Sequence, residues 1–227
     1  MIELLSGAQS RVTLADGTGG IWTTPGQPNG AALILIHEWW GINHNILEIA
    51  GQLADHGFAV LAADLFNGEF TDDPEVAARI TGALDGARCE QILRGWAEWL
   101  RGEKGYGAIG SIGYCLGGHW ALRTAVVADV DAAVIFYGGP NLPKEALSAV
   151  TGPVLGHFGL RDPIVPLADI VAFDQTMQSL GKPADVRIYA ADHAFARVDG
   201  PNYRSDLALA AWNTTIDFLT SALTAQK

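Results

Sequence analysis

Apolar residues along this chain gather into short unbroken runs that alternate with stretches of helical spacing. Residues 31–36 (AALILI) and 58–65 (FAVLAADL) are continuous apolar segments bounded by turn residues, the pattern of strands covered on both faces of a parallel sheet. Residues 132–137 and 154–158 read as further buried strands, and 186–189 reads as a strand. Between these runs, the periodicity predicts a helix from an Asn43 or Asn45 cap to about His56, with Gly57 as its C′ residue. Further helices are expected over residues 73–101 with a break near 82–86, over 116–128, over 167–180 ending at Gly181, and over 203–223. Residues 11–25 read as two short strands around an Asp16-Gly17 turn. Strands alternating with helices imply an α/β fold, a mostly parallel sheet with helices on both faces. Neither a repeat nor a linker interrupts the series, so a single domain over residues 1–227 is expected.

Charge narrows the range of partners. With 14 basic and 25 acidic residues the formal net charge is −11, and no Lys/Arg cluster offsets it. Nucleic acid and anionic membranes are therefore poor partners. Only two cysteines, Cys89 and Cys115, are present, which suits a reducing compartment better than a disulfide framework. The opening residues MIELLSGAQSR match neither a signal nor a transit peptide, and no apolar run reaches the length of a membrane span. A cytoplasmic protein is expected. Core or pocket packing accounts for the seven tryptophans.

The chemistry centres on residues 109–120, IGSIGYCLGGHW. An apolar run ends in Gly113-Tyr114-Cys115-Leu116-Gly117-Gly118 and a helical pattern follows at once, the form of a nucleophile elbow with cysteine where serine is usual. A tight strand-to-helix turn needs residues without Cβ on both sides of the nucleophile. It also aims the amides of Leu116 and Gly117, at the helix N-terminus, toward the sulfur, where the helix dipole favours thiolate. A lone cysteine is ordinarily an inert small hydrophobe, but such a residue has no use for flanking glycines.

A thiol nucleophile needs a base and a group to orient it. In an α/β-hydrolase the order is nucleophile, acid, histidine, each after a strand. Asp162, after the 154–158 run, and His193, after the 186–189 run, occupy those places. The competing reading of Asp162 is an Asp-Pro turn; Asp192 would have to fold back on its neighbour, and Asp64 suits a turn. Glu38 also ends a strand, in the loop that supplies a second oxyanion-hole amide, here that of Trp39 beside Leu116.

Together HEWWGIN, the GYCLGG elbow, RDPIVP and DHAFAR resemble the dienelactone hydrolase family, over nearly the whole chain. The resemblance implies that Cys115 attacks a lactone or ester carbonyl, with His193 as base and acid and Asp162 orienting it. It implies that Glu38 attends the resting thiol and takes its proton when substrate arrives. Arg197 matches the family's arginine after the histidine, associated with a substrate carboxylate and with pairing to the glutamate. Ala194 stands where the founding type has serine, and the family's second carboxylate-binding arginine has no clear counterpart: Arg79 is the candidate, against the reading of a solvated helix arginine.

Two motifs fail their context. GYGAIG at 105–110 matches G-x-G-x-x-G but precedes a strand, and His37-Glu38 begins H-E-x-x-H but meets Gly41. No metal or organic cofactor is implied. The expected function is hydrolysis of a small-molecule lactone or ester through a Cys115 acyl-enzyme, with an undetermined oligomeric state. A thioesterase or acyltransferase on the same triad, and a silent ligand-binding protein of the same fold, are the alternatives.

Overall fold

Period-two alternation divides each apolar strand between two cores. In β3 (Ala31–Ile36), Ala32, Ile34 and Ile36 enter one cluster and Ala31, Leu33 and Leu35 the other. In β4 (Ala59–Ala63), Ala59, Leu61 and Ala63 face the first side and Val60 and Ala62 the second. The computed structural model describes residues 3–5, 8–182 and 184–224, so the opening stretch read above lies partly outside the described residues.

Eight strands form one sheet in the order β1-β2-β4-β3-β5-β6-β7-β8, with β1 (Gln9–Thr13) and β2 (Gly19–Thr23) as the expected hairpin. Gly17, at φ +88°, makes the turn possible, and Asp16 accepts the amide of Thr18. β2 then pairs antiparallel with β4, while β3, β4, β5 (Ala108–Tyr114), β6 (Ala132–Phe136), β7 (Val154–Gly159) and β8 (Ala184–Tyr189) run parallel.

α1 (His44–Asp55) and the long α7 (Ser205–Thr224) cover one face. α2 (Pro74–Gly82), α3 (Gly86–Gly102), α4 (Leu116–Val127) and α6 (Leu167–Ser179) cover the other. Of the two candidate caps for α1, Asn43 takes the role by accepting the amide of Ile46. The break between α2 and α3 falls where expected because Asp85 caps α3 through the amides of Ala87 and Arg88. The sequence reading did not include α5 (Lys144–Leu147), a single turn in the Pro/Gly-rich connection before β7. Among the described residues no helix is long and apolar enough to cross a membrane.

Parallel strands bring their carboxyl ends to one edge. The segments leaving β3, β5, β6, β7 and β8 there carry Glu38, Cys115, Tyr137, Asp162 and His193 respectively.

Candidate active site

Cys115 joins β5 to α4 in a backbone conformation, φ 54° and ψ −117°, that L residues rarely adopt. Its amide donates to the carbonyl of Phe136 (2.9 Å), and its carbonyl accepts the amide of Gly118 to start the helix (2.9 Å). A Cβ on Gly113 would lie 2.0 Å from the Gly117 oxygen, and one on Gly117 would lie 2.2 Å from the carbonyl oxygen of Ile36. The first glycine thus lets strand and helix meet, and the second lets the helix start press against neighbouring β3.

The sulfur lies 3.1 Å from His193 Nε2, and His193 Nδ1 lies 2.7 Å from Asp162 Oδ2. A carboxylate only accepts, so Nδ1 carries a proton and Nε2 is left to exchange one with the thiol. Asp162 makes the contacts of both readings offered by the sequence. Its Oδ1 accepts the amides of Ile164 (2.8 Å) and Val165 (3.0 Å) as a turn residue does, and its other oxygen holds the imidazole. Burial works against a charged His193, but its hydrogen bonds to Asp162 and Cys115 prevail and push it up to about 10. Asp192 instead faces Arg161 at 3.0 Å, and Asp64 accepts the amides of Phe66 and Gly68.

Glu38 is 2% exposed. Burial raises its pKa, against the opposing charges of Arg197 and His193. Arg197 Nη1 lies 3.3 Å from Glu38 Oε2 without hydrogen-bond alignment, and among the described residues that oxygen has no hydrogen-bond partner. The same guanidinium lies 4.9 Å over the ring of Trp40. Among the described residues the thiol hydrogen-bonds to His193, not to the Glu38 carboxylate. Trp39 and Leu116 line the same cavity, and among the described residues their backbone N–H groups have no acceptor.

Arg79 is not brought to this group. It sits on the exposed side of α2 with its guanidinium 3.3 Å from Glu69, because the buried face of that helix is formed by Ala77 and Ile80.

The cavity in front of the sulfur measures about 820 Å³, with Trp39, Trp40, Leu116, Tyr137, Ile164 and Val165 on its walls. Tyr137 was not foreseen as a site residue, since it reads simply as the last position of an apolar run. It adopts φ 41° just beyond β6, sets its ring 5.3 Å from that of His193, and has its phenol pushed well above the usual value, first by burial. The signal that could have found it is a polar aromatic at the carboxyl end of the strand next to the elbow strand.

Comparison with known proteins accords with this geometry. The profile of the dienelactone hydrolase family matches residues 19–223. A carboxymethylenebutenolidase of Rhodococcus opacus is 30% identical, the match covering 86% of this chain and 83% of the relative. One from Pseudomonas putida is 26% identical over 88% of this chain and 90% of its own length. In fold, a dienelactone hydrolase-like promiscuous phosphotriesterase from metagenomic libraries superposes with a TM-score of 0.83 at 23% identity, covering 96% of this chain and all of the other. With the family profile spanning most of the residues and the eight-stranded sheet matching in fold, the chain belongs to the dienelactone hydrolase family.

Proposed function

We propose that this hydrolase opens a lactone or cleaves a small carboxylic ester through a thioester on Cys115. One observation carries the reading: the unbroken contact from sulfur to imidazole to buried carboxylate, 3.1 Å and then 2.7 Å. With its proton held on His193 Nε2, Sγ bonds to the substrate carbonyl carbon and the carbonyl π electrons move onto oxygen. The amides of Leu116 and Trp39 receive that oxyanion, a contribution of about a hundredfold or more in rate per donor. Collapse expels the alkoxide, which takes the proton from Nε2. Water then attacks the thioester with Nε2 as base, and the carboxylic acid and free thiol are released. Asp162 keeps Nδ1 protonated throughout.

The carboxymethylenebutenolidase names of the relatives support a lactone or ester as the substrate class. Two free thiols, Cys89 and Cys115, suit a cytoplasmic location.

The test is turnover of a 4-nitrophenyl ester with mass analysis of the quenched enzyme. Wild type should show a burst and an acyl increment on the peptide carrying Cys115, and Cys115→Ala should show neither. Undiminished turnover by a folded Cys115→Ala variant would remove the mechanism.

A further inference from the structure

The charges around the cavity do not suit an anionic substrate. Arg197 is the arginine on its wall, and its guanidinium is already shared between Glu38 at 3.3 Å and the face of Trp40 at 4.9 Å. Turning it to a ligand carboxylate would take that charge from the buried Glu38 and leave it with His193 alone among the described residues, a loss that offsets part of what the new ion pair returns. Arg79 is held outside by Glu69. Two further carboxylates, Asp72 and Asp199, are exposed at the cavity's rim. Facing those charges are apolar walls and a volume near the upper end of the range for drug-sized ligands. Resting on the hydrolase reading above, we infer that the site selects uncharged esters and lactones with a sizeable apolar part and disfavours substrates that carry a carboxylate.

A matched pair of substrates tests this: 4-nitrophenyl hexanoate and the mono-4-nitrophenyl ester of adipic acid, which differ in a terminal methyl against a terminal carboxylate. The hexanoate should have at least about tenfold the kcat/KM. Raising ionic strength from about 10 mM to about 0.2 M, which shortens the Debye length from about 30 Å to under about 8 Å, should narrow that gap by screening the rim. The double variant Asp72→Asn/Asp199→Asn should narrow it at low salt. An adipate ester turned over as well as the hexanoate, or one whose kcat/KM falls steeply with salt as attraction to a cation requires, would overturn the inference. Failure of the hydrolase reading looks different: neither ester would give an acyl increment on Cys115, and the selectivity claim would go with it.

A separate observation concerns His37, which directly precedes Glu38 and is fully buried. Its Nδ1 lies 2.6 Å from the carbonyl oxygen of Glu38, and its Nε2 accepts the amide of Leu65 at 3.2 Å. A carbonyl can only accept and an amide N–H only donate, so one tautomer satisfies both partners: protonated at Nδ1 and bare at Nε2. Burial, which lowers its pKa, favours that uncharged ring. The Glu38 carbonyl and the Trp39 N–H belong to one planar peptide unit and point in opposite directions. Whatever fixes the first aims the second. The amide of Gly41 holds the same oxygen at 3.2 Å. The geometry points to His37 as a positioning residue that orients the Trp39 amide toward the developing oxyanion in the proposed reaction, by tying the loop after β3 to the end of β4.

His37→Ala and His37→Gln would be assayed per active site, counted from the burst amplitude. His37→Ala should lose about tenfold or more in kcat, with KM within a few-fold of wild type and the rate of Cys115 alkylation by iodoacetamide retained, because His37 does not touch the thiol and its imidazole. His37→Gln, whose amide offers both a donor and an acceptor, should recover part of the loss. Unchanged kcat per active site in His37→Ala would overturn the role, as would a loss shared equally by alkylation, the mark of a purely structural residue.

Discussion

The backbone of Gly113 passes so near that of Gly117 that a methyl group on the former would lie 2.0 Å from the carbonyl oxygen of the latter. Both partners are backbone, so neither can rotate away. Gly113→Ala should lower unfolding free energy by about 3 kcal/mol or more, toward the upper end for overpacking. Gly51, in α1, is the control: a Cβ there meets nothing within 4 Å. Gly51→Ala should stabilise by about 0.5–1 kcal/mol through helix propensity. Urea titration measures both, and equal effects at the two sites would contradict the close-approach account.

Removing Arg197 strands a buried carboxylate. Arg197→Ala should cost about 3–5 kcal/mol of stability near neutral pH, while pairing Arg197→Met with Glu38→Gln should recover much of it. The pH dependence has a definite sign. Burial already lifts Glu38 above its unfolded pKa, and losing the guanidinium lifts it further. Stability linked to such a group is complete below the unfolded value and is lost as pH rises through the folded one. Urea midpoints of Arg197→Ala and wild type should therefore converge as pH falls through the folded pKa of Glu38; a constant gap would show that lost packing on Trp40 dominates.

Asp162→Asn keeps an oxygen for the amides of Ile164 and Val165 but turns an NH2 toward Nδ1. The ring must then carry its proton on Nε2 and cannot accept one from the thiol. Ester turnover should fall by about 10⁴-fold with little change in Tm, as for the corresponding change in a serine protease triad. A fall under about tenfold would mean that Asp162 matters chiefly as the turn residue.

The two thiols differ in surroundings. Cys89 is buried, and its thiol is pushed up to about 11, first by desolvation and then by the nearby Asp85 charge. Cys115 faces an imidazole pushed up to about 10 and opens on the cavity. Below pH 8, iodoacetamide should label the Cys115 peptide at least about a hundredfold faster than the Cys89 peptide, and His193→Gln should narrow the difference by slowing Cys115. For His193 the raised folded pKa contributes stability fully present below about 6.5 and lost as pH climbs toward about 10. Similar labelling rates would argue against a poised nucleophile.

Much of this arrangement was legible in the chain itself. Unbroken apolar runs marked the parallel strands, and the glycines around Cys115 marked the bend, because both record local sterics. What escaped the reading depends on distant neighbours. Arg197 was marked by its place after His193, but nothing local in the sequence shows where Arg79 goes; the packing of α2 turns it outward to Glu69. The part played by His37 needs Leu65 at the end of the adjacent strand, and strand order is not written in any local pattern. The four residues of α5 are too few to show a period.

The conformation of Cys115 sets the fold and its chemistry at odds. Holding a side chain at φ 54° and ψ −117° costs about 1–3 kcal/mol, whereas glycine accepts such angles freely and loses only about 0.5–1 kcal/mol in chain entropy. By that balance Cys115→Gly yields a hardier but inert protein. A search for thermostable variants that does not also demand turnover would be drawn to this position.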